Sequence, residues 1–575
     1  MGARAARARG PRARRKGATG RPASARPPRQ EVPAARRAPP AVLARAAVLL
    51  HGLRAAAAQA EFTPESAPPG LQRWLGRDRC GDQRWTAFHA GLGEVAGLFN
   101  AREFAPALQR SAELLLPVVT DPHVAFDCAT AVSSVLGVGA QCGDQLGLPR
   151  VAARLRQLGA IFGSFDYQMK GNEYIDQSPW PINWMENMEG ILSSMAYLKQ
   201  HELQVDPWRG APTSAALSQK LGPGWRSTAQ PLRIAIVSVC DYDPGVTPLA
   251  RLSQINKEEY ANMHGYVTII HERAPVFSDP LSPLLTEPAS HRPPAWSKVD
   301  AVLAALASGR YDWVMWMDCD PLRRHEVALE GVVAMAEAEH AASGEGPAAP
   351  GDLPDLQRLV GRWLEGPPEP LQGAALLGWF DDLLDEAAGA GGAPGAAEGG
   401  AANRTLGWGP WLLEERRAHV VASEDGLMLN TGVMLIRASV WSWRFFSKVR
   451  WMTFGVSPVT QHPWWEQAAM VYLLQLPLTL VAAASGRPED LGPPAAARGH
   501  SRACALLSQR HLNAYPPLVA SALQTHVAYD AGDFVVSFSG CKVYSSQEVC
   551  NQPPDHRQAH GLDVLRSDPV LRLWL

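Results

Sequence analysis

An α/β domain preceded by a mainly helical region is the fold class this sequence predicts, on three observations. After about residue 230, short β-branched apolar runs alternate with helix-like segments. Before it, apolar residues recur at three- and four-residue spacing. One of the most apolar of the short runs ends in a pair of aspartates.

The bulk numbers fit a large globular protein. At 575 residues, with 46% hydrophobic and 19% charged residues, the chain can bury the core of two or three domains. Its net charge of −2 hides an asymmetry. Residues 1–60 hold thirteen arginines and Lys16 against Glu31 alone, so the rest of the chain has 40 basic and 55 acidic residues, a balance of −15. A body that acidic is a poor binder of nucleic acid. The basic arm is therefore expected to be a low-complexity leader or weak signal-anchor. Its apolar run, residues 41–53, is short and interrupted by Arg45 and His51, where a membrane span needs about 20 apolar residues. An Arg-rich, acid-poor start also suits an organelle transit peptide, so plastid targeting stays open beside the secretory route. No later segment is expected to cross a bilayer. Eight cysteines do not make a disulfide scaffold at this length. Cys541 and Cys550 either close a loop or remain two buried thiols. The sequon Asn403-Arg404-Thr405 favours the secretory route.

A helical domain of unassigned role is expected over residues 70–205, with FAPALQRSAELLLPVV and VAARLRQLGAIFGSF as its clearest segments. Residues 206–230 read as a linker. The α/β domain is expected over 231–555. Strands are predicted at 233–239, 266–271 and 311–317, with helices at 253–264 and 296–308 between them. A Gly/Ala-rich insertion is expected at about 335–415, because so long a structureless loop does not belong inside a compact core.

Asp318-Cys319-Asp320 follows YDWVMWM. Two carboxylates one residue apart at a strand end can lean into one cleft and share a hard divalent cation. Ligands of open α/β sheets bind beyond the carboxyl ends of strands, which is where this pair falls. Many Asp-x-Asp pairs are merely solvated turns, so the preceding strand is what gives this one weight.

Seven segments then occur in one order: PLRIAIVSV, NKEEYANMHGY, AWSKVDAVLAAL, YDWVMWMDCD, LNTGVMLIR, WWEQAAMVYLL and GDFVVSFSGC. Over residues 231–550, insertion excluded, they resemble glycosyltransferase family 34, the family of fungal Golgi α-mannosyl- and α-galactosyltransferases and plant xyloglucan xylosyltransferases. The resemblance implies a GT-A type Rossmann-like mixed sheet flanked by helices. It implies Mn²⁺ (or Mg²⁺) dependence, and transfer with retention of a hexosyl or xylosyl group from a UDP-sugar or GDP-mannose to an oligosaccharide or polysaccharide. A lumenal catalytic domain in the Golgi or another secretory membrane follows from the same likeness, while attachment through the N-terminus is read from the basic leader and its short apolar run.

The resemblance also gives roles. Asp318 and Asp320 would hold the metal, with Asp318 also near the nucleotide. Ser238, Cys240 and Asp241 would border base and ribose, although Asp241 serves equally as a turn residue before Pro244. Lys298 would reach phosphate unless it is an ordinary solvated helix lysine. Asn430, in Leu429-Asn430-Thr431-Gly432, would stand beside the donor sugar. Glu466 and Gln467 would face the donor or the acceptor, where a Glu in a helix first turn is otherwise ordinary dipole chemistry. Trp464 and Trp465 would stack on sugar or fill the core. At Ser537 the family usually has a metal-binding histidine. Water or His526 would have to compensate, and Lys542 would hold the diphosphate. The same serine suits a second reading, a catalytically weakened relative that binds glycan or nucleotide-sugar or scaffolds a transferase complex.

Overall fold

A computed structural model describes residues 82–119, 128–170, 232–241, 248–280, 294–323, 327–342, 352–369, 417–425, 429–453, 465–485, 503–515 and 533–537, with single residues between these stretches. The leader, the linker, the sequon, Trp464, His526, Cys541, Lys542 and Cys550 lie outside the described residues.

Four helices come first: α1 (Asp82–Asn100), α2 (Phe104–Val119), α3 (Ala129–Gln145) and α4 (Pro149–Lys170). The α/β part then runs β1 (Ile234–Val239), α5 (Pro248–His264), β2 (Val267–His271), α6 (Ser297–Ala307), β3 (Trp313–Met317), β4 (Pro321–Arg323), α7 (Leu329–Ala342) and α8 (Asp352–Glu365). It continues with β5 (Val420–Glu424), β6 (Leu429–Arg437), α9 (Val440–Trp451), α10 (Trp465–Ser485), β7 (Cys504–Leu507), α11 (Gln509–Leu512) and β8 (Val535–Ser537). The three predicted strands end within two residues of the observed ones. Gly265 and Gly309 follow α5 and α6 at φ +76° and +60°, a left-handed backbone that closes a helix cheaply only in glycine.

Six strands form a mixed sheet in the order β2-β1-β3-β6-β5-β7. β1 is parallel to β2 and β3, β6 is antiparallel to β3 and β5, and β7 is parallel to β5. Strand side chains alternate between two apolar layers, as a period of two requires. Ala235, Val237, Val314, Trp316, Met434 and Ile436 face one layer, and Ile234, Ile236, Trp313, Met315, Val433 and Leu435 the other. Both faces are covered, which is why these strands read as continuous apolar runs.

The predicted insertion contains structure that packs into this core. Ala336 of α7 is buried, and α8 turns Leu356, Val360 and Trp363 inward at helical spacing, with Trp363 stacked 5.4 Å from Trp379.

The N-terminal helices share the first of these apolar layers. Phe126 and Phe162, 4.9 Å apart, both pack on Tyr472 of α10. Arg154 of α4 makes a two-pronged, buried ion pair with Glu424 at the end of β5, at 2.5 and 3.0 Å. Shielding of this kind explains α10. By length and composition its residues 465–484 could cross a membrane, contrary to the expectation from sequence, yet 78% of the apolar window is buried inside the protein. It is a core helix that α2 and α4 cover.

His462 lies at the same seam, with Nε2 donating to the Ile161 carbonyl at 2.9 Å. Burial pushes its pKa from 6.5 down to about 3, so the folded protein keeps it neutral while the unfolded chain takes up a proton below pH 6.5. The unfolded state then binds more protons, and stability falls as pH drops through the window from 6.5 towards 3. Between pH 6.5 and 5 the wild type is expected to lose about 1.5 kcal/mol more than His462→Gln, read from paired unfolding curves.

Candidate active site

The carboxyl ends of β1 and β3 and the amino end of β6 form one edge of the sheet. Asp318 is tied into it by its own N–H, which donates to Gly432 O at 2.8 Å. Its Oδ1 accepts from Trp316 Nε1 at 2.9 Å and stands 3.3 Å from Lys298 Nζ. The side chain is 38% exposed, so it opens to the cleft.

Lys298 is not a solvated lysine. Its buried ammonium donates to Glu466 Oε1 at 2.6 Å and to Thr431 O at 2.9 Å. Burial works against its charge, but Asp318 and Glu466 outweigh that and hold its pKa above the ordinary value. Burial raises the Glu466 carboxyl although Lys298 opposes the shift. Glu466 Oε2 is buried and has no hydrogen-bond partner among the described residues. Gln467 is half-buried on the next position of the helix.

Asp320 is held differently. Burial and the nearby Asp318 charge push its carboxyl up to about 7. Lys257 lies beneath the turn, donating to Cys319 O at 3.2 Å and to Ser253 Oγ. Burial, with Arg323 adding to it, lowers the Lys257 pKa to about 7. Asn256 brackets Arg323, accepting from its N–H at 2.9 Å and donating to its carbonyl at 3.1 Å. These two residues lie in NKEEYANMHGY, a segment the sequence singles out without showing which side chains hold the aspartate turn.

Two of the three expected nucleotide-binding positions look different in the structure. Cys240 forms a disulfide with Cys319, the residue between the two aspartates, with Cα atoms 5.0 Å apart. Ser238 is fully buried, its Oγ 3.7 Å from Cys240 Sγ, so neither side chain is open to a ligand. Asp241 remains exposed. No sequence rule pairs two cysteines 79 residues apart, so this bond was not foreseen.

Asn430 is buried. Its Oδ1 accepts from Gly432 N–H at 2.8 Å, and its Nδ2 donates to Asp425 Oδ2 at 3.0 Å and Tyr515 Oη at 2.9 Å. Tyr515, Asp425 and Asn513 complete this cluster, and sequence reasoning named none of them. Burial, with Asp425, holds the Tyr515 hydroxyl well above its usual pKa. Ser537 is buried on β8, directly opposite Pro321 in the β4–β8 ladder and so next to Asp320 in the chain.

The donor set suits a hard cation in part. Burial first, and then the Asp318 charge, raise the Asp320 pKa, and a divalent ion held by the pair would offset both. Among the described residues, no group of three His, Cys, Asp or Glu side chains converges as a complete metal cage. Waters or phosphate oxygens would have to supply the rest of such a shell.

Residues 412–548 match the galactosyl transferase GMA12/MNN10 family. That stretch carries Asn430, Glu466, Asn513 and Ser537. No curated protein matches the chain. Among solved structures, a glycosyltransferase involved in the glycosylation of the major capsid of PBCV-1 matches at 13% identity, covering 54% of this chain and 93% of that one. Its TM-score is 0.24, too low to bear on the fold or the chemistry.

The disulfide joins the ends of β1 and β3 under the aspartate turn. Closing a loop of 79 residues stabilises by about 4 kcal/mol in the chain-entropy account. The Cys240→Ser/Cys319→Ser double variant is expected to lose stability of that order in denaturant unfolding. The variant would keep its fold below the lowered midpoint.

Proposed function

We propose that the protein is a metal-assisted retaining glycosyltransferase that moves a hexosyl or xylosyl group from a nucleotide-sugar to a glycan. The observation that carries this reading is the juxtaposition of Asp318, Lys298, Glu466 and Asn430 at one sheet edge, within a chain whose residues 412–548 match a galactosyl transferase family. Cleft position, paired carboxylates and a buried cation are what transfer from a diphosphate leaving group requires.

Asp318 and Asp320 would hold Mn²⁺ or Mg²⁺, which when bound neutralises the departing diphosphate. Lys298 and Trp316 orient Asp318 by holding its Oδ1. Lys542 remains the candidate for a further diphosphate contact. Glu466 Oε2, without a hydrogen-bond partner among the described residues, is suited to the developing positive charge of the sugar. Gln467 would meet the acceptor, and Asn430 would border the donor sugar. Asp241, exposed at the end of β1, would reach the ribose.

A lumenal site in the Golgi or another secretory membrane, with attachment through the N-terminal leader, belongs to the same proposal. The Cys240–Cys319 disulfide supports an oxidising compartment. The second reading, a binding or scaffolding relative with weakened catalysis, is favoured by the neutral Ser537 beside the aspartate turn.

Turnover by the full chain across UDP-galactose, UDP-glucose, UDP-xylose and GDP-mannose, with a glycan acceptor and Mn²⁺, tests both. The transferase reading expects one donor to be consumed, with Asp320→Ala and Glu466→Gln each lowering kcat at least about a hundredfold. Donor binding without any consumption would replace it by the binding reading.

A further inference from the structure

Beside Gly432 lies a buried acceptor that the proposed chemistry does not use. Asn513 is fully buried, and its Oδ1 has no hydrogen-bond partner among the described residues. Its orientation follows from its neighbours. The Tyr515 hydroxyl donates to Asp425 Oδ2 at 3.0 Å, so its oxygen can only accept from the two nearby amides. Asn430 Nδ2 and Asn513 Nδ2 both donate to it, at 2.9 and 3.4 Å. Asn513 must therefore turn its oxygen away from Tyr515.

That oxygen faces the space a side chain at Gly432 would fill. A Cβ there would meet Asn430 Oδ1 at 3.0 Å, Asp318 Oδ2 at 3.3 Å and Asn513 Oδ1 at 3.9 Å. Three oxygens thus surround one small gap. Asn430 Oδ1 is satisfied by Gly432 N–H, and Asp318 opens to the cleft, which leaves the Asn513 oxygen needing a donor. An uncompensated buried carbonyl is costly, and a ligand hydroxyl at this place would satisfy it.

We infer that Asn513 accepts a hydrogen bond from a ring hydroxyl of the donor sugar, and that Gly432 lacks a side chain to leave room for that hydroxyl. The inference rests on the transferase reading and deepens it, because it makes Asn513 a specificity-determining residue. A buried acceptor without its hydroxyl partner discriminates strongly against a deoxy sugar. A neutral amide oxygen suits a neutral hydroxyl here, since Lys298 already offsets the Asp318 charge beside it.

The test is calorimetric binding by the full chain, with Mn²⁺, of UDP-galactose and GDP-mannose against UDP and GDP alone. Asn513→Ala is expected to weaken the accepted nucleotide-sugar about three- to tenfold and leave its nucleoside diphosphate unchanged. Gly432→Ala should show the same selective loss. In the unaltered protein, one monodeoxy version of the sugar should lose a similar factor, and Asn513→Ala should no longer distinguish it. That last comparison stands even where Gly432→Ala folds poorly.

Equal weakening of sugar conjugate and diphosphate would assign Asn513 a structural role and overturn the inference. Lower Mn²⁺ affinity without nucleotide in Asn513→Ala would make it a metal ligand instead. Wild-type protein that binds UDP or GDP but gains nothing from the sugar would defeat this inference alone. Wild-type protein that binds no nucleotide would defeat the transferase reading together with it.

Discussion

The ammonium of Lys298 is the charge on which the site depends. It lies buried between Asp318 and Glu466, 3.3 and 2.6 Å from their oxygens, and also donates to Thr431 at the start of β6. Without it, the buried Glu466 carboxylate and Asp318 would approach each other with no ammonium between them. Because its three partners lie just after β3, on β6 and on α10, the ammonium carried by α6 ties those elements together. Arg450 plays a parallel structural part farther from the cleft, joining α9 to Asp300 of α6 and Asp279 at 2.7 and 2.8 Å.

Much of this was legible in the sequence, for physical reasons. Strands buried on both faces must be apolar without interruption, so β1 and β3 announced themselves, β2 followed from its β-branched residues at the sheet edge, and Asp318 and Asp320 stood out as charges ending such a run. Helical spacing gave α2 almost to the residue. The segment over 335–415 was harder, because Gly/Ala-rich residues around it conceal α8, whose Leu356 and Trp363 reach the core only through tertiary contact. Site residues divide the same way. Asn430 and Glu466 carry recognisable local motifs. Asn513, Tyr515 and Asp425 do not, since their relevance arises from a hydrogen-bonded cluster joining residues 85 and 90 positions apart.

Lys298 and Cys240 show the limits from two sides. A lysine on an amphipathic helix reads as solvated until the opposing Glu466, 168 residues away, is brought against it. Cys240 reads as a residue beside a nucleotide until the fold pairs it with Cys319. In both cases the chemistry of the residue depends on a distant partner. The N-terminal helices behave likewise, since Arg154 finds Glu424 across 270 residues of chain.

The burial of α10 has a consequence for how the chain is made. Synthesis runs from the amino end, so α2 and α4 leave the ribosome some 300 residues before the apolar helix they cover. The shield exists before the surface that needs it. A newly made α10 therefore meets preformed helices rather than other copies of itself or a lipid phase, and the order of elements along the chain acts as a built-in safeguard against misassembly. A rearranged gene with the helical segment moved to the end would encode the same contacts and lose that protection.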